Sequence, residues 1–323
     1  MEEKGFDTAV LMLFFIREDT FSKVFEAVRA AKPKRLYLFQ DGARPTRPDD
    51  LEKVEKCRRV CENIDWDCQV FRNYQEKNLG CDPAEHAAVS WALEHEEQII
   101  VLEDDDVPSK SFFYYCDECL DRYRDDKRVF MICGRNQLGE TNYDDNSYFF
   151  AKSDAIWGWA TWKDRWQLCD HTHEFLNDPK LVKKIIDEAP TKYDGKNFIK
   201  RCKAHRQDSL ENNKVSSYES PIRAAIYLND MYSIVPRTNL IQNVGITGDS
   251  EHTASGLENI SKGQRALYTI GAGELEFPLK HPDEIKNNVP FLRERLKIMG
   301  VDSSWRFWKR RICRNISKLF KKG

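Results

Sequence analysis

Two kinds of segment alternate along the chain: short, almost wholly apolar runs, and longer stretches whose apolar residues recur every three or four positions. Thr8 to Phe15 and Gln98 to Leu102 are of the first kind, and continuous apolar character marks strands buried on both faces. Arg35 to Phe39, Val129 to Cys133 and the shorter, alternating Asp67 to Arg72 add three more strands. Between them, Phe21, Val24, Phe25 and Val28 recur at helical spacing, with Asp19 or Thr20 placed to cap the helix and Lys32-Pro33-Lys34 to end it. A polar helix over Asp49 to Asn63 follows, then a loop from Asn73 to Asp82. Ala84, Ala87, Ala88, Trp91 and Ala92 next give a helix with a small-residue face, Pro83 sitting in its first turn. A further helix runs from a cap at Ser109 or Ser111 through Phe112, Phe113 and Cys116 to Tyr123. Strand and helix in alternation predict an α/β fold with a mainly parallel sheet and right-handed crossovers.

The second half reads differently. A short strand, Ser147 to Ala151, precedes Trp157-Gly158-Trp159 and the neighbouring Trp162 and Trp166, four tryptophans around one glycine. Helices are expected near Lys180 to Ala189, over Phe198 to Asn212 and from Tyr218 onward, then a strand Tyr232 to Val235 and a glycine-punctuated loop from Asn239 to Thr253. From Trp305 to Gly323, apolar residues at helical spacing alternate with arginine and lysine and no acid intervenes, the pattern of a basic amphipathic helix suited to an anionic membrane surface. Residues 1–135 are expected to form a nucleotide-binding half and 136–255 an acceptor-binding half of one domain. Residues 256–304 would be an extension and 305–323 a membrane-associating tail.

The most informative chemistry lies where Gln98 to Leu102 ends in Glu103-Asp104-Asp105-Asp106. In an open α/β sheet, ligands bind beyond the carboxyl ends of the strands, so these acids arrive at the edge where a site belongs. Four adjacent carboxylates repel one another, and a hard divalent cation, Mg²⁺ or Mn²⁺, relieves that repulsion while holding a diphosphate. A solvated acidic turn would carry the same residues, but not fused to so apolar a strand. Asp41, in the turn Gln40-Asp41-Gly42, brings another carboxylate to that edge. Tryptophan faces suit sugar rings, and an aromatic core cluster explains them equally well.

The 323 residues carry a net charge of −2, which argues against a nucleic-acid binder. No glycine-rich dinucleotide or phosphate-loop motif occurs, so dinucleotide redox enzymes and P-loop hydrolases are poorly supported. The N-terminal residues have no apolar signal core and no run is long enough to span a bilayer, which points to the cytoplasm, peripheral on the inner membrane face. Of ten cysteines, only Cys116 and Cys119 stand in a C-x-x-C, and free buried thiols are the expectation.

Taken together, Phe14-Phe15-Ile16-Arg17, Phe39-Gln40-Asp41-Gly42, Asn78-Leu79-Gly80, Val101 to Asp106 with Phe112-Phe113, Trp157-Gly158-Trp159 and Pro236 to Ile241 resemble a GT-A glycosyltransferase. The likeness is to the N-acetylglucosaminyltransferase I type and to bacterial enzymes of surface-polysaccharide clusters, over residues 6 to 255. It implies a UDP-sugar donor, a glycan or lipid-linked acceptor and an inverting, metal-dependent transfer. By that resemblance Asp105 is the metal ligand and His252 closes over metal and diphosphate. Glu103 and Asp104 face the nucleoside, Asp41 binds the nucleobase, and Arg17, Arg72 and Asn78 line the donor pocket. Trp157, Gly158 and Trp159 meet the acceptor, and Glu219 is the general base, with Asp208 or Asp154 as substitutes. The sequence departs from the family's tryptophan-aspartate in having Tyr218-Glu219. A nucleotide-sugar-forming nucleotidyltransferase and a non-catalytic membrane-bound scaffold are the alternative readings. The first would need a glycine-rich loop after the first strand, and Phe14 to Thr20 has no glycine.

Overall fold

The structure is a computed structural model, and it describes residues 6–212, 218–246 and 262–303. His252 and the basic tail from Trp305 lie outside the described residues, so the expectations placed on them are not addressed by the fold.

Among the described residues, ten strands and ten α-helices follow in order. The first half contributes β1 (Ala9–Phe14), α1 (Glu18–Ala31), β2 (Arg35–Gln40), α2 (Asp50–Val60), β3 (Gln69–Tyr74), α3 (Cys81–His95), β4 (Gln98–Glu103), β5 (Asp106–Pro108), α4 (Lys110–Tyr123) and β6 (Val129–Cys133). The second half adds β7 (Tyr148–Ala151), β8 (Trp159–Trp162), α5 (Lys163–Trp166), α6 (Pro179–Glu188), α7 (Lys192–Asn212), α8 (Glu219–Leu228), β9 (Tyr232–Pro236), β10 (Ile241–Asn243), α9 (Lys262–Thr269) and α10 (Val289–Met299). Eight strands make one sheet in the order β3-β2-β1-β4-β8-β6-β9-β7, while β5 and β10 pair as a separate antiparallel ribbon. The first four strands in that order run parallel; β8 runs antiparallel between β4 and β6, and β7 antiparallel to β9. The fold is thus a mixed, mainly parallel α/β sheet flanked by helices.

Alternate residues of each strand feed two cores. Val10, Met12, Leu36, Ile100 and Leu102 pack with α1, α2 and α4 on one face, and Leu11, Leu13, Tyr37, Ile99 and Val101 pack with α3 and the second-half helices on the other. A strand covered on both sides has no reason to alternate polar and apolar residues, which is why β1 and β4 read as unbroken apolar runs. The β1 register places Leu13 opposite Glu103, so the carboxyl ends of β1 and β4 arrive together at one edge.

Several local expectations are corrected. Neither Asp19 nor Thr20 caps α1: the helix begins at Glu18 with Arg17 in the cap position, and the Thr20 hydroxyl donates to the Arg17 carbonyl at 3.2 Å. Neither Ser109 nor Ser111 caps α4 with its side chain; Glu274 does so instead, its carboxylate accepting from the main-chain N–H groups of Lys110 at 3.1 Å and Ser111 at 2.8 Å. The helix dipole that could have attracted a phosphate is thereby satisfied by a carboxylate of the chain itself. The third strand lies two residues later than Asp67 to Arg72, because pairing of Arg35 with Gln69 through Gln40 with Tyr74 sets it. The tryptophan segment contains β8, an inner strand with no counterpart in the sequence reading.

Candidate functional site

β4 stops at Glu103, and the chain turns through Asp104 and Asp105 before Asp106 enters the ribbon with β10. That ribbon fixes the acidic turn. The Asn243 side-chain amide donates to Asp105 Oδ1 at 2.8 Å and to Asp106 Oδ1 at 3.0 Å, and the Gly158 N–H donates to Asp106 Oδ2 at 2.9 Å. Gly158 has φ +60, and a Cβ there would overlap Ile241, so this position needs glycine to bring its N–H to the acid. A Cβ at Gly245 would overlap the Asp105 carboxylate. On the other side Arg17 spans the turn, pairing with Asp104 and, at 2.7 Å, with Asp105. Asp104 also accepts from the Phe15 N–H at 3.3 Å.

Asp104 and Asp105 border a cavity of about 230 Å³ whose walls include Phe15, Arg17, Asp41, Arg44, Glu85, Glu103, Trp157, Asn243 and Tyr268, and Asp106 is buried behind them. Carboxylate oxygens of Glu103, Asp105 and Asp106 all lie within 4.8 Å of one another. Three hard oxygen donors at that separation suit Mg²⁺ or Mn²⁺ by ligand type and would hold it at the floor of the cleft. Burial and the neighbouring Asp105 charge push the Glu103 carboxyl up to about 7, against a hydrogen bond from the Tyr218 hydroxyl at 2.6 Å. Burial, with the Asp105 and Glu103 charges, holds Asp106 well above the ordinary carboxylate range despite Asn243 and Gly158. Burial raises Asp104 as well, with Arg17 opposing.

This has a measurable consequence. Glu103 titrates near 7 when folded and near 4.5 otherwise, so the folded protein binds more protons across that window and loses stability as pH rises through it. In chelator, unfolding free energy should fall from pH 5 to pH 8 by up to about 3 kcal/mol on account of this group, at ~1.4 kcal/mol per pH unit. Glu103→Gln should flatten that part of the slope; identical slopes in urea titrations of the two proteins would count against it.

The other expected residues are placed as follows. Asp41 is buried, and its carboxylate accepts from the N–H groups of Gly42, Leu79 and Gly80 and from the Asn78 side chain, at 2.8 to 3.0 Å. A carboxylate has about four acceptor sites, so Asp41 is committed to shaping the Asn78-Leu79-Gly80 turn rather than to a nucleobase. Asn78 borders the cleft with both amide hydrogens given to Asp41 and Gly42. Arg72 is exposed on the edge strand β3 near Tyr74 and Cys61 and does not line the cleft. Arg44 lines it instead, held by Asp50 through contacts of 2.6 and 2.8 Å and lying 5.3 Å from the Phe15 ring.

Trp157 faces the cleft, 5.1 Å from the Tyr268 ring and 4.9 Å from the Arg135 guanidinium. Trp159 is 0% exposed in β8, so its face packs in the core and is closed to a sugar. Trp162 and Trp166 are likewise buried. Asp154 is held ionised, at about 2, because Arg295 and Arg223 outweigh the burial that opposes its charge, and it does not line the cleft. A carboxylate so firmly paired is a poor proton acceptor. Glu219 opens α8 beside this ionic network, and burial together with the Asp154 charge raises its pKa. Glu219 and Asp208 both lie outside the lining of the cleft among the described residues. The described cysteines are free, and Cys116 and Cys119 are buried in the α4 core.

Reasoning from the sequence passed over Glu85, Arg44, the Tyr218 hydroxyl, Asn243 and Tyr268, and gave Asp106 no role of its own. Glu85 stands one residue after Ala84 and three before Ala88, on a helix expected to lie close to the sheet, and an acid at such a position is a readable signal. The partners of Asn243 and Tyr268 depend on long-range pairing and carry no local signal.

The site is therefore an acid-floored, aromatic-rimmed cleft at the carboxyl edge of an open α/β sheet, the class of site that takes a charged small-molecule ligand. No family model matches the chain, and no curated protein matches it. Among solved structures the chain is similar to a UDP-glucose pyrophosphorylase complexed with UDP-glucose, at 10% identity and a TM-score of 0.35 over 72% of this chain and 91% of that one. It is similar to mouse xyloside xylosyltransferase 1 in its apo form at 7% identity and a TM-score of 0.30, over 69% and 81% of the two chains. The apo WbbM bifunctional glycosyltransferase gives 9% identity and a TM-score of 0.31, over 96% of this chain and 52% of that one.

Proposed function

We propose that the cleft binds a UDP-sugar together with Mn²⁺ or Mg²⁺ and passes the sugar, with inversion, to a hydroxyl of a glycan or lipid-linked glycan acceptor. The observation that carries this reading is the convergence of the Glu103, Asp105 and Asp106 oxygens within 4.8 Å at the edge of the sheet where the cleft opens. A cation bound there would act as a Lewis acid toward the charge that develops on the departing diphosphate. Arg17 and Arg44 add positive charge at the same wall. Trp157 and Tyr268 offer ring faces at its rim. Glu219 is the base proposed to take the proton of the acceptor hydroxyl as that oxygen attacks the anomeric carbon; it stands at the start of α8, outside the lining of the cleft, so the acceptor has to approach from that side. The connection between β1 and α1 is only Phe15-Ile16-Arg17, which favours sugar transfer over nucleotidyl transfer because it lacks a glycine-rich phosphate loop.

Isothermal titration with UDP, with and without Mn²⁺, tests the reading. Binding should strengthen at least tenfold with the metal, and Asp105→Ala should abolish that gain; full metal-dependent affinity in the variant would remove the assignment. The basic segment 305–323 is proposed to hold the enzyme on an anionic membrane. Deleting it should abolish sedimentation with anionic liposomes while leaving UDP binding intact, and equal sedimentation of the two proteins would refute that role.

A further inference from the structure

One wall of the cleft holds more carboxyl groups than cation binding needs. Glu85, in the second turn of α3, borders the cavity close to Glu103, and its Oε2 is buried without a hydrogen-bond partner; the carboxyl otherwise meets the Cys81 thiol, at 3.4 Å from Oε1, and the main chain of Tyr218. An acceptor oxygen left unmade in the interior costs about 1–3 kcal/mol, and more when charged, so such a group in a ligand cavity is best explained by what binds there. Glu103 beside it is already partnered by the Tyr218 hydroxyl at 2.6 Å and belongs to the cation cluster, which leaves Glu85 as the carboxylate on this wall with an open acceptor. Burial and the charges of Glu103 and Asp82 also raise the affinity of Glu85 for a proton, so this wall disfavours further negative charge.

We infer that Glu85 is a specificity-determining residue: its Oε2 accepts a hydrogen bond from a hydroxyl of the sugar being transferred, and the wall it forms with Glu103, hostile to added negative charge, refuses sugars that carry a carboxylate. The inference rests on the proposed UDP-sugar reading and deepens it, naming neutral hexoses with a free hydroxyl as the donor class. A hydroxyl supplies the missing donor to an otherwise unmade acceptor, whereas a hexuronate would bury a carboxylate against two carboxyls that burial already makes hard to ionise.

The test is titration of UDP, UDP-glucose, UDP-N-acetylglucosamine and UDP-glucuronate in Mn²⁺ into wild type, Glu85→Ala and Glu85→Gln, with circular dichroism to verify that each variant is folded. In wild type at least one neutral UDP-hexose should bind about tenfold or more tightly than UDP, and UDP-glucuronate more weakly than UDP. Glu85→Ala should erase the gain from the sugar, a loss of about tenfold to a hundredfold, with the affinity for UDP itself unchanged. Glu85→Gln, which keeps the shape and an acceptor oxygen, should retain most of the sugar's contribution. Retention of the sugar's contribution in Glu85→Ala, or an equal loss for UDP and UDP-sugar, would overturn the inference while leaving the cation and diphosphate site standing. Failure of wild type to bind UDP at all would overturn both.

Discussion

Glu219→Gln should lower the rate of UDP release from the donor that the wild-type protein turns over by about 10² to 10⁴, the range that general-base catalysis supplies, with UDP affinity within about twofold of wild type. The side chain stands at the first position of α8, next to Tyr218, whose hydroxyl reaches Glu103 in the cleft. Burial and the Asp154 charge raise its pKa, while Arg201, Arg223 and Arg295 hold the shift in check. A carboxylate raised in this way is a stronger base than one in water, which is what proton abstraction needs. Glutamine preserves shape and removes basicity, so turnover should fall without a change in donor binding. Turnover within threefold of wild type would take Glu219 out of the chemistry.

Asp154→Ala should cost about 3 to 5 kcal/mol of unfolding free energy, the penalty for leaving buried charges without their counter-ion. Asp154 is buried between the buried Arg223 guanidinium, at 3.7 Å, and the half-buried Arg295, at 2.9 Å, and Arg223 is otherwise partnered by Asp194. Removing Asp154 takes from both guanidiniums a carboxylate they share and from Arg295 its ion-pair partner. Asp154→Asn should be nearly as damaging, because the charge rather than the shape is missing. The native pairing is insensitive to mild acid. With its pKa depressed to about 2 from an ordinary 3.8, the Asp154 contribution is complete above the ordinary value and lost only as pH falls toward 2. Urea unfolding at pH 7 measures the effect, and a loss below 1 kcal/mol in both variants would contradict it.

How much of this was readable beforehand depended on whether the determining contact was local. Val129 to Cys133 was legible residue for residue, because an apolar run buried on both faces can be little else than an inner strand. The acids after Gln98 to Leu102 were legible for the same reason, since the end of such a strand sets where the next side chains go. β8 was not: Trp159–Trp162 becomes a strand by pairing with β4 and β6 at once, and nothing within those four residues announces partners some 30 to 60 positions away. The cap of α4 was missed on similar grounds, since Ser109 and Ser111 are suitable caps by type and Glu274 displaces them from more than 160 residues downstream. Asp41 was correctly placed at the sheet edge, but its four donors come from the turn around it, so its type alone suggested a ligand where the structure has a brace. Arg72 was assigned by position in a motif, and an edge strand displaced by two residues carried it away from the cleft.

The pairing of Asp106–Pro108 with Ile241–Asn243 has a temporal meaning. A growing polypeptide makes its four consecutive acids early, yet the amide of Asn243 that steadies two of them emerges only after some 140 further residues have been joined. Until then Arg17 and the Phe15 N–H are the braces already made, for Asp104 and Asp105, so the spacing of the cluster proposed to hold a cation should be completed late in synthesis, after the first four strands have had the opportunity to assemble.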